Sequence, residues 1–195
     1  MIQVAVVYHS GYGHTAKQAE AVRAGAASVP GASVTLVPVE KIEQHWSGLE
    51  AADAIVFGSP TYMGSVSAPF KAFMDASVST WAGQKWKDKL AAGFTNSASQ
   101  SGDKLNTLIQ LAVFAAQHGM HWINLGLRPG NCSSKGSAED LNRLGGFLGA
   151  MAQSNDDVGA DVAPPAADLR TAAELGRRVA ETAAIFARGR QAKAA

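Results

Sequence analysis

Five short apolar runs, separated by segments with helical spacing, constrain the fold of this chain more than any other feature. The runs are rich in branched or apolar residues and are bounded by Gly, Pro, Ser or Asn. They cover residues 2–8, 33–39, 54–59, 90–96 and 121–127. Most are too continuously apolar to leave one face in water, which is typical of strands in a parallel sheet covered on both faces. The alternation therefore predicts an α/β fold with right-handed crossovers.

The segments between the runs predict helices with one apolar stripe each. Ala19, Val22 and Ala26 recur at spacings of three and four, and a similar stripe occupies the last segment. No internal repeat or domain linker interrupts the pattern, so residues 1–195 are expected to form one domain. A long, Gly-rich loop or arm is predicted at about 128–167. Loops of that size are usually functional lids, interface arms or partly disordered segments.

Composition excludes several classes of partner. The net charge of +1 offers no broad electrostatic footprint for nucleic acid or an anionic membrane. No apolar run approaches the roughly 20 residues that span a bilayer, and the amino terminus carries no basic leader. Cys132 is the single cysteine and fits a reducing compartment, while the five histidines lack metal-ligand spacing. We expect a cytoplasmic protein without a nucleic-acid, membrane or metal partner.

The stretch YHSGYGHTAK, residues 8–17, stands where the first strand must turn into the first helix. A helix amino terminus presents unpaired N–H groups and a partial positive charge, which suit a phosphate. Ser10 and Thr15 can donate hydroxyls, and Gly11 and Gly13 allow the backbone to close around an anion. The alternative is that Ser10 or Thr15 only caps the helix. Because the turn lacks both G-x-G-x-x-G and a following G-K-[ST], a mononucleotide phosphate is the favoured ligand.

Two further polar loops follow apolar strands. The third strand ends in FGSPTYMGSVSAPFKAFMD and the fourth in FTNSASQSGD. Because ligands of open parallel sheets bind at the carboxyl ends of the strands, the three loops are expected to converge on one crevice. Turn chemistry alone does not explain such convergence.

Four segments stand together in an order and spacing typical of a known family. They are YHSGYGHT, GSPTYMGSVSAPFKAFMD, TWAGQKWKDKLAAGFTNSASQSG and FAAQHGMHWINLG. The chain resembles the flavodoxin-like NAD(P)H:quinone oxidoreductases of the WrbA type, up to about residue 127 and weakly beyond. The resemblance implies a flavodoxin-like, doubly wound five-stranded parallel sheet in the order 2-1-3-4-5 with helices on both faces. It also implies FMN as cofactor, NADH or NADPH as donor, a quinone acceptor, and a homodimer or homotetramer.

The resemblance further implies the site residues. The FMN phosphate would be bound by Ser10, Gly11, Tyr12, Gly13, His14 and Thr15. The isoalloxazine ring would be flanked by Pro60, Thr61, Tyr62 and Met63. Its pyrimidine side and the ribityl chain would be wrapped by Thr95, Asn96, Ser97, Ala98, Ser99, Ser101 and Gly102. His118 would reach the flavin and act in catalysis, and Tyr12 and Trp81 would line the nicotinamide and quinone site.

Some of these assignments have structural alternatives. Trp81 can be a packing residue, and His118 ends a helical pattern, where a cationic side chain is favourable without any catalytic role. The chain also departs from the family pattern, because Tyr62 stands where an Arg is frequent, Leu127 where a Tyr often lines the site, and Gln117 where a first His occurs. These departures bear on the quinone preference and leave FMN binding little altered.

Two function classes fit these observations. The first is an enzyme that transfers two electrons from NAD(P)H to a quinone by a ping-pong mechanism. The second is a one-electron carrier that docks on protein partners. Carriers of the flavodoxin type are usually strongly acidic, which steers docking. The net charge of +1 therefore favours the enzyme.

Overall fold

A mainly parallel sheet with helices on both faces forms the centre of the computed structural model, which describes the backbone of residues 1–194 and the side chains of residues 1–190. The strands are β1 (Ile2–Tyr8), β2 (Ala32–Pro38), β3 (Ala54–Tyr62), β4 (Ser65–Val66), β5 (Leu90–Ser97), β6 (His121–Trp122) and β7 (Ala150–Gln153). The helices are α1 (His14–Ala27), α2 (Trp46–Ala51), α3 (Ala68–Ala76), α4 (Val78–Ala82), α5 (Lys104–Gln117) and α6 (Ala166–Ala194), with a 3-10 helix at Val39–Gln44.

The sheet follows the order β2-β1-β3-β5-β6, and neighbouring strands along this path are parallel. The short β4 adds an antiparallel pair to the end of β3 outside that path. With β5 and β6 as the fourth and fifth strands, the order matches the predicted 2-1-3-4-5. The flavodoxin-like α/β fold predicted from the sequence is therefore confirmed.

The fifth position of the sheet is shared by two short strands. β6 pairs only with the first two residues of β5, and β7 pairs with residues 94–97 of the same strand. The prediction of one strand over 121–127 is wrong beyond Trp122, because the chain then turns away from β5: Leu125 N donates to Phe147 O, and Gly126 has a left-handed φ of 71°. The segment predicted as a long loop or arm at about 128–167 contains β7, which returns to the sheet, and the first residues of α6.

Two apolar cores lie on the two sides of the sheet. Val4 and Val6 of β1 pack with α1 and α6. Ala5 and Val7 point to the other side and pack with α3 and α5. Gly25 and Gly176 allow α1 and α6 to approach closely, because a Cβ on either would overlap a backbone carbonyl of the other helix. This double cover explains the continuously apolar strands.

The described residues contain no helix with the length and apolarity needed to cross a bilayer. They also contain no group of three or more His, Cys, Asp or Glu side chains arranged for a metal ion. Cys132 is exposed on the segment between β6 and β7. The absence of membrane and metal partners stays a prediction.

Candidate functional site

A cavity of about 530 Å³ opens at the carboxyl edge of the sheet, where β1, β3 and β5 end. Its volume lies in the range of small-molecule and cofactor sites, roughly 300–1,000 Å³. All three loops expected to converge there contribute to its wall. The predicted residues that line it are Tyr12, His14, Thr15, Pro60, Thr61, Tyr62, Asn96, Ser97 and Ala98.

The amino terminus of α1 forms one end of the cavity. Gly13 precedes the helix with a φ of 88°, a conformation that glycine adopts without strain. Among the residues that the structure describes, none accepts a hydrogen bond from the backbone N–H groups of residues 11–15. Ser10 Oγ accepts a hydrogen bond from Ala16 N at 3.1 Å and so caps the helix. Unpaired N–H groups at a positive helix end make this a site for an anion.

Two tyrosines frame the mouth of the cavity. Tyr12 is 79% exposed, and its ring meets that of Tyr62 edge-on, with centroids 6.4 Å apart and an interplanar angle of 72°. A Cβ on Gly11 would lie 2.6 Å from the Tyr62 hydroxyl, so a side chain at this position would displace the Tyr62 ring where the two loops touch. Burial, with Tyr12 as a second cause, raises the pKa of Tyr62, which keeps this hydroxyl protonated at neutral pH. The mouth is thus lined by two aromatic rings set at a steep angle to each other.

Threonine hydroxyls join the ends of β3 and β5 beneath the cavity. Thr61 Oγ1 lies 2.8 Å from Thr95 Oγ1 and 2.8 Å from Thr107 Oγ1. Thr95 is fully buried, so it supports the wall from behind. This buried network fixes two of the cavity loops relative to α5.

The remaining predicted residues of the three loops neighbour the wall without forming it. Met63 is fully exposed, in a left-handed conformation with a φ of 48°. The predicted residues outside the wall are Ser10, Gly11, Gly13, Met63, Thr95, Ser99, Ser101 and Gly102. They shape the turns that carry the lining residues.

Sequence reasoning missed the fourth wall, which comes from the segment after β7. Ser154, Asp156, Val158 and Gly159 line the cavity. The ring Nε2 of His14 lies 2.9 Å from Val158 O, and Ser154 Oγ donates a hydrogen bond to Asn96 Oδ1 at 2.9 Å. No motif marks these residues, and only the length of the predicted arm indicated a covering segment.

His118 and Trp81 lie outside this cavity, in a separate cleft of about 340 Å³. The 14 residues of α5 separate the cavity loop from His118, a distance of about 21 Å at 1.5 Å per helical residue. His118 is 2% exposed, and its Nε2 lies 3.0 Å from Ser77 Oγ. Its Nδ1 is buried without a partner among the described residues, and burial lowers the pKa of His118 to about 4. The structure therefore does not bring these two residues to the cavity of their own chain.

Known proteins resemble the chain over nearly its whole length. A family described as NADPH-dependent FMN reductase matches residues 38–127. The chain is 44% identical to Flavodoxin FldP of Pseudomonas aeruginosa, over 92% of this chain and 96% of that relative. It is 32% identical to an NAD(P)H dehydrogenase (quinone) of Archaeoglobus fulgidus, over 94% of this chain and 98% of that relative.

A solved structure agrees with these relatives. The crystal structure of a flavodoxin, WrbA-like protein from Agrobacterium tumefaciens is 42% identical, with a TM-score of 0.75, over 95% of this chain and 99% of that chain. The resemblance predicted from four short sequence segments is confirmed by these matches. The chain belongs to the flavodoxin-like NAD(P)H:quinone oxidoreductases of the WrbA type.

Proposed function

We propose that this protein is an FMN-dependent oxidoreductase that transfers two electrons from NAD(P)H to a quinone. The observation that carries the proposal is the cavity at the carboxyl edge of the sheet, whose wall combines the loop at residues 11–15, where the N–H groups have no acceptor among the described residues, with the rings of Tyr12 and Tyr62. The matching family is described as NADPH-dependent FMN reductase, and several relatives are named NAD(P)H dehydrogenase (quinone). Both support FMN as cofactor and NAD(P)H as donor.

The residues present fit FMN. The N–H groups of residues 11–15 and the hydroxyl of Thr15 suit the phosphate, and Pro60 and Tyr62 offer a flat surface to the ring. Asn96 and Ser97 provide polar groups between these ends. When bound, FMN supplies hydride chemistry that no side chain carries, because it can take a hydride from NAD(P)H and pass two electrons to an acceptor.

The aromatic mouth serves both substrates in turn. Tyr12 and Tyr62 frame one opening, so nicotinamide and quinone must occupy it alternately. Initial rates at several fixed quinone concentrations should then give parallel double-reciprocal lines, the ping-pong pattern. Intersecting lines would contradict a shared opening.

The cleft with Trp81 and His118 is assigned to the cavity of a second copy, in a homodimer or homotetramer. The length of α5 places His118 too far from its own cavity, while apolar side chains remain exposed on the surface. Leu105, Ile109 and Val113 form an exposed stripe along α5 at spacings of four. Each copy is proposed to be a single domain over residues 1–195, and the assembly is proposed to be cytoplasmic.

A one-electron carrier is the second candidate. The observation in its favour is the 44% identity to a relative named Flavodoxin FldP. The net charge of +1 argues against it, because carriers steer partners with a strong charge. Steady-state NAD(P)H oxidation with a soluble quinone separates the two, because a carrier needs a reductase protein to be reduced.

Titration of the purified protein with FMN, FAD and riboflavin tests the cofactor. We expect FMN to bind at one per chain with quenching of its fluorescence, and riboflavin to bind more weakly because the anion site stays empty. No change in FMN fluorescence, or far tighter binding of FAD, would overturn the proposal.

A further inference from the structure

Lys104 is a buried cation directly behind the wall of the cavity. It is the first residue of α5 and only 1% exposed. Its Nζ donates hydrogen bonds of 2.7 Å to Ser97 Oγ and 2.7 Å to Ser99 O. Because Ser97 itself lines the cavity, the ammonium is hydrogen-bonded directly to a residue of the cavity wall.

Within the described residues, the ammonium of Lys104 has hydrogen bonds but no carboxylate partner of its own. In the described part of the chain Lys104 forms no salt bridge, and the carboxylate that attracts it, Asp168, is already paired with Arg143. Its position at the start of α5 also sets it against the helix dipole. Burial accordingly lowers the pKa of Lys104 to about 8. Burying a charge without an opposite charge costs free energy. An anion that forms in the cavity during the reaction would offset this cost.

The proposed function supplies such an anion, and the present inference rests on it. NAD(P)H delivers two electrons and one proton, which turn the neutral oxidised ring into a reduced ring with negative charge near N1 and O2. We propose that Lys104 is a positioning residue whose ammonium charge, acting through the loop at Ser97 and Ser99, makes the cavity bind reduced FMN more tightly than oxidised FMN. In this role Lys104 acts only through its charge: it neither gives up a proton to FMN nor touches a substrate.

Lys89 provides a matched control. It is also partly buried, its Nζ donates to Glu50 O at 2.7 Å and Ala52 O at 2.6 Å, and burial lowers its pKa. It precedes β5, whereas Lys104 follows that strand, so the two ammonium groups lie at opposite ends of the sheet. Lys89→Met therefore also removes a partly buried ammonium group, but at a distance from the cavity.

The experiment measures FMN dissociation constants in both redox states for Lys104→Gln, Lys104→Met and Lys89→Met. Reference-dye equilibration gives the midpoint potential of bound FMN and hence the ratio of the two constants. Lys104→Gln, which keeps a hydrogen-bond donor, and Lys104→Met should both weaken reduced FMN relative to oxidised FMN by roughly tenfold, about 30 mV for a two-electron couple. Lys89→Met should leave the ratio unchanged. A Lys104→Gln ratio equal to that of the parent protein would overturn the inference.

The parent protein gives a second test that needs no variant. Between pH 7 and pH 9 the preference for reduced FMN should fall as Lys104 loses its proton, because its pKa is about 8. The charged groups that face Lys104 are Asp168, from α6, and Arg143, from the segment between β6 and β7, and these two form an ion pair with each other. A constant preference would overturn the inference. Failure of FMN to bind at all would instead overturn the proposed function.

Discussion

Ser10 and Thr15 were both expected at the FMN phosphate, but they have different contacts, so substitutions at the two positions should have different effects on FMN binding and stability. Thr15 lines the cavity, whereas Ser10 accepts a hydrogen bond from Ala16 N and caps α1. Thr15→Val should weaken FMN binding by roughly 1–2 kcal/mol, the scale of a hydrogen bond to a charged group. Ser10→Ala should in addition lower the stability of the FMN-free protein by about 1 kcal/mol through loss of the cap.

Fluorescence titration with FMN and riboflavin, together with urea unfolding, measures these effects. Riboflavin lacks the phosphate and should bind Thr15→Val and the parent protein alike. An equal loss for riboflavin would show that Thr15 supports the fold and not the phosphate.

His118 carries a pH dependence of stability. Burial lowers its pKa from 6.5 to about 4, so the native state binds fewer protons than the unfolded state between these values. Stability should therefore fall as pH drops from about 6.5 to about 4, by at most about 1.4 kcal/mol per pH unit. His118→Gln should flatten this part of the profile. His121→Gln, which replaces a histidine whose side chain is 52% exposed, provides the control and should leave the loss in place.

At the scale of elements, the sequence predicts what local pattern encodes. β1, β3 and β5 are buried along most of their length, so apolar runs mark them and place the loops that follow. The edge of the sheet beside β5, which β6 and β7 share, depends on contacts between residues far apart in the sequence. The Trp122 ring packs on Gly93, and its Nε1 donates to Leu148 O at 2.9 Å. Neither contact has a local signature, so the return of the chain as β7 and the fourth cavity wall could not be predicted.

A buried ion pair fixes that returning segment to α6. Arg143 donates to both carboxylate oxygens of Asp168, at 2.7 and 2.8 Å, and Asp168 Oδ2 also accepts a hydrogen bond from Gln153 N in β7. Asp168→Ala would leave the Arg143 charge buried without its partner. We expect a loss of about 3 kcal/mol in unfolding free energy, and weaker FMN binding because β7 carries Ser154 to the cavity.

Denaturant unfolding of Asp168→Ala, with and without FMN, tests the contribution of this ion pair. The pair of Arg177 and Glu174 on the surface of α6 is the control, because its side chains remain 43% and 32% exposed and Glu174→Ala should change stability much less than Asp168→Ala. If the double variant Arg143→Met with Asp168→Leu is no more stable than Asp168→Ala, the loss does not come from the stranded charge.

At the scale of the whole molecule, the predicted site residues are divided between two ends of one helix. The cavity lies at the start of α5, and the cleft with His118 and Trp81 lies at its end. Within one chain the two sites stay apart, since the 14 residues of α5 lie between them. In a symmetric pair each copy can offer its cleft to the cavity of the other, and the interface then forms two equivalent sites.

Mixed assemblies test this arrangement directly. Thr15→Asp places a negative charge at the anion site and should prevent FMN binding in its own chain, whereas His118→Ala leaves its own cavity intact. Each variant alone should turn over slowly. If His118 acts on the partner's cavity, refolding the two in equal amounts creates intact sites, and random dimers should recover roughly one quarter of the parent turnover. Light scattering must first show an oligomer at micromolar concentration. A mixture that runs only at the mean of the two separate rates would place His118 outside the partner's site, because no combination of subunits would then have restored what each variant lacks.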